Sequence, residues 1–227
     1  MVKLSKSKLQ IRCSWIRIKS LQMVDVSPNK KENEGISPLD SLIKLSGGPQ
    51  DGGICLKELR HTGKLVLRGN PNDSRFTKLV YRVLGNKLPL TPNTFVQNKQ
   101  QTTIWLGPDE WLINCFPGDE STIENNLNNS LSKISNSVTN VSDNSTIIQI
   151  SGSKARTVIM KGCSIDIHPR TFQPGQAVQS NLALALIVLW QIDQKPTYNI
   201  LVRSSFSSYL WQWLLDAGAE FGIHIEK

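Results

Sequence analysis

Several features that would declare a function are missing from this sequence. No apolar run approaches the roughly 20 residues needed to cross a bilayer as a helix, so no membrane span is expected. The four cysteines, Cys13, Cys55, Cys115 and Cys163, are scattered without any Cys-x-x-Cys spacing. That argues against both a zinc ribbon and a disulfide framework, and implies reduced thiols in a cytoplasm. There are three histidines, His61, His168 and His224, with no His-Glu-x-x-His and no Gly-x-Ser-x-Gly elbow, which removes the commonest zinc-hydrolase and serine-hydrolase signatures. The glycine-rich run Ser46–Gly53 is not followed by Gly-Lys-Ser/Thr, so it reads as a flexible loop rather than a phosphate cradle. Asn144-Ser145-Thr146 has the form of a glycosylation triplet, but without a secretory signal it is a product of the Asn- and Ser-rich composition.

Charge is also scarcer than the total suggests. Of the formal net charge of +8, six positive charges (Lys3, Lys6, Lys8, Arg12, Arg17 and Lys19) lie in residues 1 to 22, which contain no acid. The remainder is close to neutral. Residues 1–36 are therefore expected to be a basic, polar extension, either a disordered tail or an artefact of a start that belongs at Met23. A basic arm for nucleic acid or membrane, or a transit-like peptide, is the alternative for residues 1 to 22.

What is present is a globular composition, with 39% hydrophobic residues and six tryptophans, in a chain long enough for one substantial core. Ser37-Pro38-Leu39 has the pattern of a capped helix start. Strands are expected at Ile54–Leu59 and Lys64–Leu67. A helix follows with Phe76, Leu79, Val80, Val83 and Leu84 inward and Gly85 as its stop. Ile104 to Leu106 and Trp111 to Ile113 flank Gly107-Pro108-Asp109-Glu110 as a hairpin, and a helix from Asp119 carries Ile123, Leu127, Leu131 and Ile134.

The same order then recurs. Val138–Val141 and Thr146–Ile150 are expected to pair about Ser142-Asp143-Asn144. A helix with Ala155, Val158 and Ile159 inward ends at Gly162. Leu182–Gln191 and Thr197–Val202 form strands, Ser204–Gly218 a long helix, and Phe221–Ile225 a last strand. Leu65–Gly69 matches Ile148–Gly152, and Ile104–Ile113 matches Ile187–Leu201. The fold class is thus α+β, with two pseudo-repeated sheet-plus-helix halves, about 54–136 and 137–227, packed as one domain.

Candidate chemistry is sparse. Cys163 and His168 could pair, although a small buried thiol in a turn is the plainer reading. Asp109 and Glu110 could serve as acid and base, but a hairpin tip ordinarily carries solvated carboxylates. Lys154 and Arg156 lie near a helix start where an anion could bind, or face solvent. No catalytic, cofactor-binding or metal residue is assigned. On the last helix, Phe206, Leu210, Trp213, Leu214 and Ala217 form the expected core stripe, which leaves Trp211 and Leu215 outside it as candidate partner contacts.

Four stretches carry a family resemblance: Trp105–Ile113 (Trp-Leu-Gly-Pro-Asp-Glu-Trp-Leu-Ile), Ile150–Arg156, Lys161–Pro169 (Lys-Gly-Cys-Ser-Ile-Asp-Ile-His-Pro) and Leu201–Ala217. Together with Ser37–Leu39 and Pro89–Thr94, they resemble the gamma subunit of heterotetrameric sarcosine oxidase from about residue 37 to the C-terminus. Ser153 stands where that family usually has proline, and residues 1 to 22 have no counterpart in it. The resemblance implies the folate-binding fold of the glycine-cleavage aminomethyltransferases, and a chain that is catalytically inert by itself. It implies alpha, beta and delta subunits as partners, which hold FAD, FMN, NAD and tetrahydrofolate while the complex demethylates sarcosine. A free-standing folate-binding one-carbon transferase of the same fold is the alternative.

Overall fold

The computed structural model describes residues 35–43 and 46–227. The expectations for residues 1 to 34 lie outside the described residues. In chain order the elements are β1 (Ile54–Leu59), β2 (Gly63–Gly69), α1 (Ser74–Leu84), β3 (Phe95–Gln97), β4 (Gln101–Gly107), β5 (Glu110–Cys115), α2 (Glu120–Leu131), β6 (Asn136–Asn140), β7 (Ser145–Ser151), α3 (Ala155–Met160), β8 (Ala177–Leu182), β9 (Ala185–Asp193), β10 (Thr197–Arg203), α4 (Ser204–Gly218) and β11 (Ile223–Glu226).

These strands make two sheets. Five run in the order β3-β4-β5-β2-β6 and six in the order β11-β1-β7-β10-β9-β8. Read from β3 and from β8, the orders are the same, which is the repeat seen in the sequence. Each repeat, however, lends its first strand to the other: β1 pairs with β7, and β6 pairs with β2. The expected pairing of Val138–Val141 with Thr146–Ile150 is therefore overturned. A 3-10 turn at Ser142–Asn144 carries the chain from one sheet to the other instead. The Ser142 hydroxyl accepts the Lys64 amide at 3.0 Å, and the Val141 amide donates to the Lys64 carbonyl at 2.8 Å, which anchors the crossover on β2.

Alternation of side chains along the strands gives each sheet two buried faces and the molecule three apolar layers. Leu65, Leu67, Trp111 and Ile113 meet α1 and α2 through Phe76, Val80, Leu84, Leu127 and Leu131. Ile148, Ile150, Leu189, Tyr198 and Ile200 meet α3 and α4. Ile104, Leu112, Ile147, Ala177 and Trp190 fill the space between the sheets. The layering is helix, sheet, sheet, helix. Among the described residues no helix is long and apolar enough to cross a membrane.

Local chemistry explains most element ends. Asp73 caps α1 by accepting the Arg75 amide at 2.8 Å, and Arg75 beside it holds the Asp73 carboxyl down at about 2. Gly85, at φ 69°, closes the same helix by donating to the Tyr81 carbonyl. The Trp111 indole N–H donates to the Pro89 carbonyl at 2.8 Å, so the extended Pro89–Thr94 connection is tied down beneath the hairpin that precedes α2.

Three local expectations are corrected. Ser37–Ile43 forms turns rather than a helix, with the Ser37 hydroxyl accepting the Leu39 amide at 3.2 Å. The single run Leu182–Gln191 is two strands, β8 and β9, joined at Ala183-Leu184. The glycine-rich segment is a strap and not a free loop: Gly47 exchanges hydrogen bonds of 3.0 and 2.8 Å with Ile225, and the Gly53 amide donates to the Phe221 carbonyl at 2.8 Å. Its glycines allow backbone to lie on backbone. A Cβ on Gly48, which sits at φ +106°, would fall 2.1 Å from the Ile223 carbonyl oxygen.

Two substitutions of opposite sign test this. Gly48→Ala should lower stability by about 2–3 kcal/mol through strain and backbone overlap. Ala183→Gly should raise it by about 1 kcal/mol, because Ala183 is held at φ 52°. Urea unfolding of the full chain measures both.

Candidate functional site

The space between the sheets is apolar at its centre and polar at one end. A cross-strand row on the six-stranded sheet places Glu226, Lys57, Gln149, Asn199 and Trp190 side by side. Lys57 pairs with Glu226, and Gln149 Nε2 donates to Asn199 Oδ1 at 2.9 Å. The facing row of the other sheet holds Thr102 and Asn114 in register. Lys57, Gln149, Asn199, Thr102 and Asn114, with Arg60, Lys99 and Lys227 at the rim, line a cleft of about 540 Å³. Asn114 Oδ1 and Trp190 Nε1 are buried without a hydrogen-bond partner among the described residues.

Among the described residues Glu58 supplies the one acidic side chain at that cleft, and its carboxylate is engaged elsewhere. The Thr146 hydroxyl donates to Oε1 at 2.7 Å, the Ser37 hydroxyl donates to Oε2, and Arg60 Nε lies 3.7 Å from Oε2. Arg60 also reaches Asp40 at 2.6 Å. This network fastens the Ser37–Ile43 segment to β1 and β7, a structural use of a buried carboxylate that no local pattern signals. Cys115, 3% exposed, has its thiol pushed up to about 11 by burial and by Glu120 and Asp119, so it stays protonated at neutral pH.

The candidate pairs from the sequence resolve into structural roles. Cys163 Sγ contacts Ser180 Oγ at 4.0 Å, whereas His168 Nδ1 accepts the Arg170 amide within its own turn. Asp109 pairs with Arg68 at 3.1 Å, and Glu110 lies 3.8 Å from the same guanidinium. Arg156 donates to the Ile167 carbonyl and lies over the Tyr198 ring at 5.7 Å. Lys154 lies over Phe221 at 5.8 Å. Among the described residues no group of three or more His, Cys, Asp or Glu side chains comes together as metal ligands would.

The helix reading needs the largest correction. Trp211 is fully buried, and the inward stripe of α4 is Ser207, Leu210, Trp211, Leu214 and Gly218. That stripe is rotated from the expected one, which leaves Phe206 43% exposed. Small residues decide the rotation. A Cβ on Gly218 would stand 2.8 Å from Ile54 Cδ1 and 3.1 Å from Ile223 Cδ1, so α4 presses closest to the sheet at that glycine. Ser207 fits at the other end because its hydroxyl donates back to the Ser204 carbonyl at 2.7 Å. Trp211 is thus a core residue and not a partner contact. Leu215 is half-buried against the same core.

The class these features define is a two-sheet α+β protein with a duplicated plan. A crystal structure of glycine cleavage system aminomethyltransferase T from Bartonella henselae shares the fold, with a TM-score of 0.61 at 11% identity over 83% of this chain and 58% of that one. A chain of heterotetrameric sarcosine oxidase from Corynebacterium sp. U-96, solved with pyrrole 2-carboxylate, matches with a TM-score of 0.75 and 28% identity over 82% of this chain and 96% of that chain. The sarcosine oxidase subunit gamma of Corynebacterium sp. (strain P-1) is 32% identical over 187 residues, covering 82% of this chain and 90% of the relative. The subunit gamma of an Arthrobacter species is 29% identical over the same shares. Residues 68–220 match the model of the sarcosine oxidase, gamma subunit family. The chain belongs to that family.

Glu58, whose oxygens are already taken by Ser37 and Thr146, offers no free side-chain carboxylate at the cleft for the amidine edge of a pteridine. Two outcomes check the site description. Trp211→Ala should cost about 3–5 kcal/mol in urea unfolding, as expected for an emptied core position, and Leu215→Ala clearly less. Cys115 should resist iodoacetamide at pH 8 in the native chain and react at once in urea; alkylation at equal rates in both would contradict the burial.

Proposed function

We propose that this chain is the gamma subunit of a heterotetrameric sarcosine oxidase and contributes to its assembly, not to its chemistry. The observation that carries this reading is the match in fold to nearly the whole length of one chain of the Corynebacterium enzyme. In this reading the complex oxidises sarcosine to glycine, with formaldehyde or methylene-tetrahydrofolate and hydrogen peroxide as the other products. The FAD, FMN, NAD and tetrahydrofolate belong to the alpha, beta and delta subunits. The complex works in the cytoplasm. What this chain supplies is a two-sheet body, and charged groups help hold it together: Glu58 clasps the segment before β1, and Lys57 and Glu226 join β1 to β11. Of the two residues on α4 expected to meet partners, Leu215 alone keeps exposed surface and stays a proposed contact.

The test is purification of the chain from its source or by co-expression with the other subunits. A yellow, flavin-containing complex with sarcosine-dependent peroxide release is expected, and the isolated chain should be colourless and inert. Flavin bound by the isolated chain, or tetrahydrofolate bound by it in a calorimetric titration, would contradict the assignment.

A further inference from the structure

Large apolar side chains are exposed at one place on the six-stranded half. The β8–β9 hairpin tip carries Leu184, 79% exposed, and α4 carries Phe206 and Tyr209, 43% and 37% exposed and one helical turn apart. Leu186, 61% exposed, alternates to the other face of the sheet and is not part of this patch. Leu184 and Tyr209 meet directly. The Leu184 amide donates to Tyr209 Oη at 3.4 Å. The ring of Trp213 covers Gly162, where a Cβ would stand 2.5 Å from the ring and 3.2 Å from the Ala183 nitrogen.

We propose that this surface is where an unlike subunit of the assembly docks. The proposal rests on the reading of the chain as a gamma subunit. The repeat supplies an internal control, because α2 occupies in the first half the place that α4 takes in the second. The exposed positions of α2 are Ser121, Thr122, Asn125, Asn126, Asn128, Asn129 and Ser130, all small or polar. On α4 the exposed set includes two aromatics, Phe206 and Tyr209, among serines and Gln212, and its one charged side chain, Asp216, lies in the last turn, away from Phe206. What separates α4 from α2 is the exposed aromatics, which a solvated helix does not need and which are enriched at the centre of protein interfaces.

The hairpin tip adds an independent observation. Two-residue hairpin turns favour Gly or Asn where φ is positive. Here Ala183 is held at φ 52°, and the next residue is the almost fully exposed Leu184. The turn breaks both the conformational rule and the solvation rule, and departures of this kind concentrate at functional sites.

Charge defines the partner. The centre of the patch asks for an uncharged apolar surface. At one edge Arg203 is exposed and has no ion pair among the described residues, so the fitting surface sets a carboxylate there. At the other end Lys161 is already matched by Glu220 and makes no such demand. An unlike chain with an apolar face and an acidic rim on one side meets these terms. The solved relative, matched over 96% of its chain, comes from an assembly of that kind.

The experiment co-expresses the full chain with the other subunits and compares Leu184→Asp, Phe206→Asp and, as control, Leu90→Asp, which changes a 57% exposed leucine in the connection before β3. Flavin-containing complex retained on a tagged gamma chain is quantified, and the melting temperature of each isolated chain is recorded. Leu184→Asp and Phe206→Asp should each reduce retention at least ten-fold with melting unchanged, and Leu90→Asp should retain as much as wild type. If Phe206→Asp melts early, Leu184→Asp decides. Full retention by Leu184→Asp overturns the docking surface and leaves the subunit reading intact. Wild type retaining no unlike chain overturns both. A wild-type chain that is dimeric alone and made monomeric by Leu184→Asp overturns the unlike partner in favour of a second copy.

Discussion

The exchange of first strands between the two repeats is the constraint on which the rest of the molecule depends. Strand β1 sits inside the six-stranded sheet between β7 and β11, and β6 completes the five-stranded one against β2. Neither 54–136 nor 137–227 can satisfy the backbone of its own sheet alone, since an unpaired strand edge leaves a row of donors and acceptors open. The crossover also fixes the distance between the sheets. It brings Lys64, Val141 and Ser142 together at one side, and pairing of Thr94 with Gln176 closes another. The apolar layer of Ile104, Leu112, Ile147 and Trp190 is the consequence.

Around that frame, polar groups are spent on fastening. Glu58 receives two hydroxyls and an arginine, Trp111 reaches Pro89, and Gly47 with Gly53 holds β11 against β1. A buried carboxylate with its oxygens engaged is a structural element and not a proton carrier. What remains uncommitted is at the surface, in the apolar hairpin tip and the exposed aromatics at the start of α4.

Much of this was legible from residue order. The α1 stripe with Gly85, the hairpin about Pro108-Asp109, the bounds of α4 and the duplication are all carried by local pattern, which short-range chemistry reports well. The strand exchange was not, because a strand's alternation says which face is buried and nothing about which neighbour it finds. Strand β8 was missed for a different reason. Its junction with β9 uses Ala183-Leu184, which contains no turn-forming residue. The rotation of α4 escaped because hydrophobicity weights Phe206 and Trp213 above Ser207 and Gly218, while the sheet selects by size at the points of closest approach. The Glu58 clasp joins residues 37, 58 and 146, a conjunction no spacing rule could reveal.

Amide hydrogen exchange on the isolated chain and on the chain within its flavin-containing complex tests the central claim most directly. The account predicts that segments covering Leu182–Leu186 and the outer side of Ser204–Trp213 gain protection on assembly, while the cleft between the sheets is unchanged. Protection gained at the cleft residues Lys57, Asn114 and Asn199, with the hairpin tip and α4 exchanging as before, would contradict it.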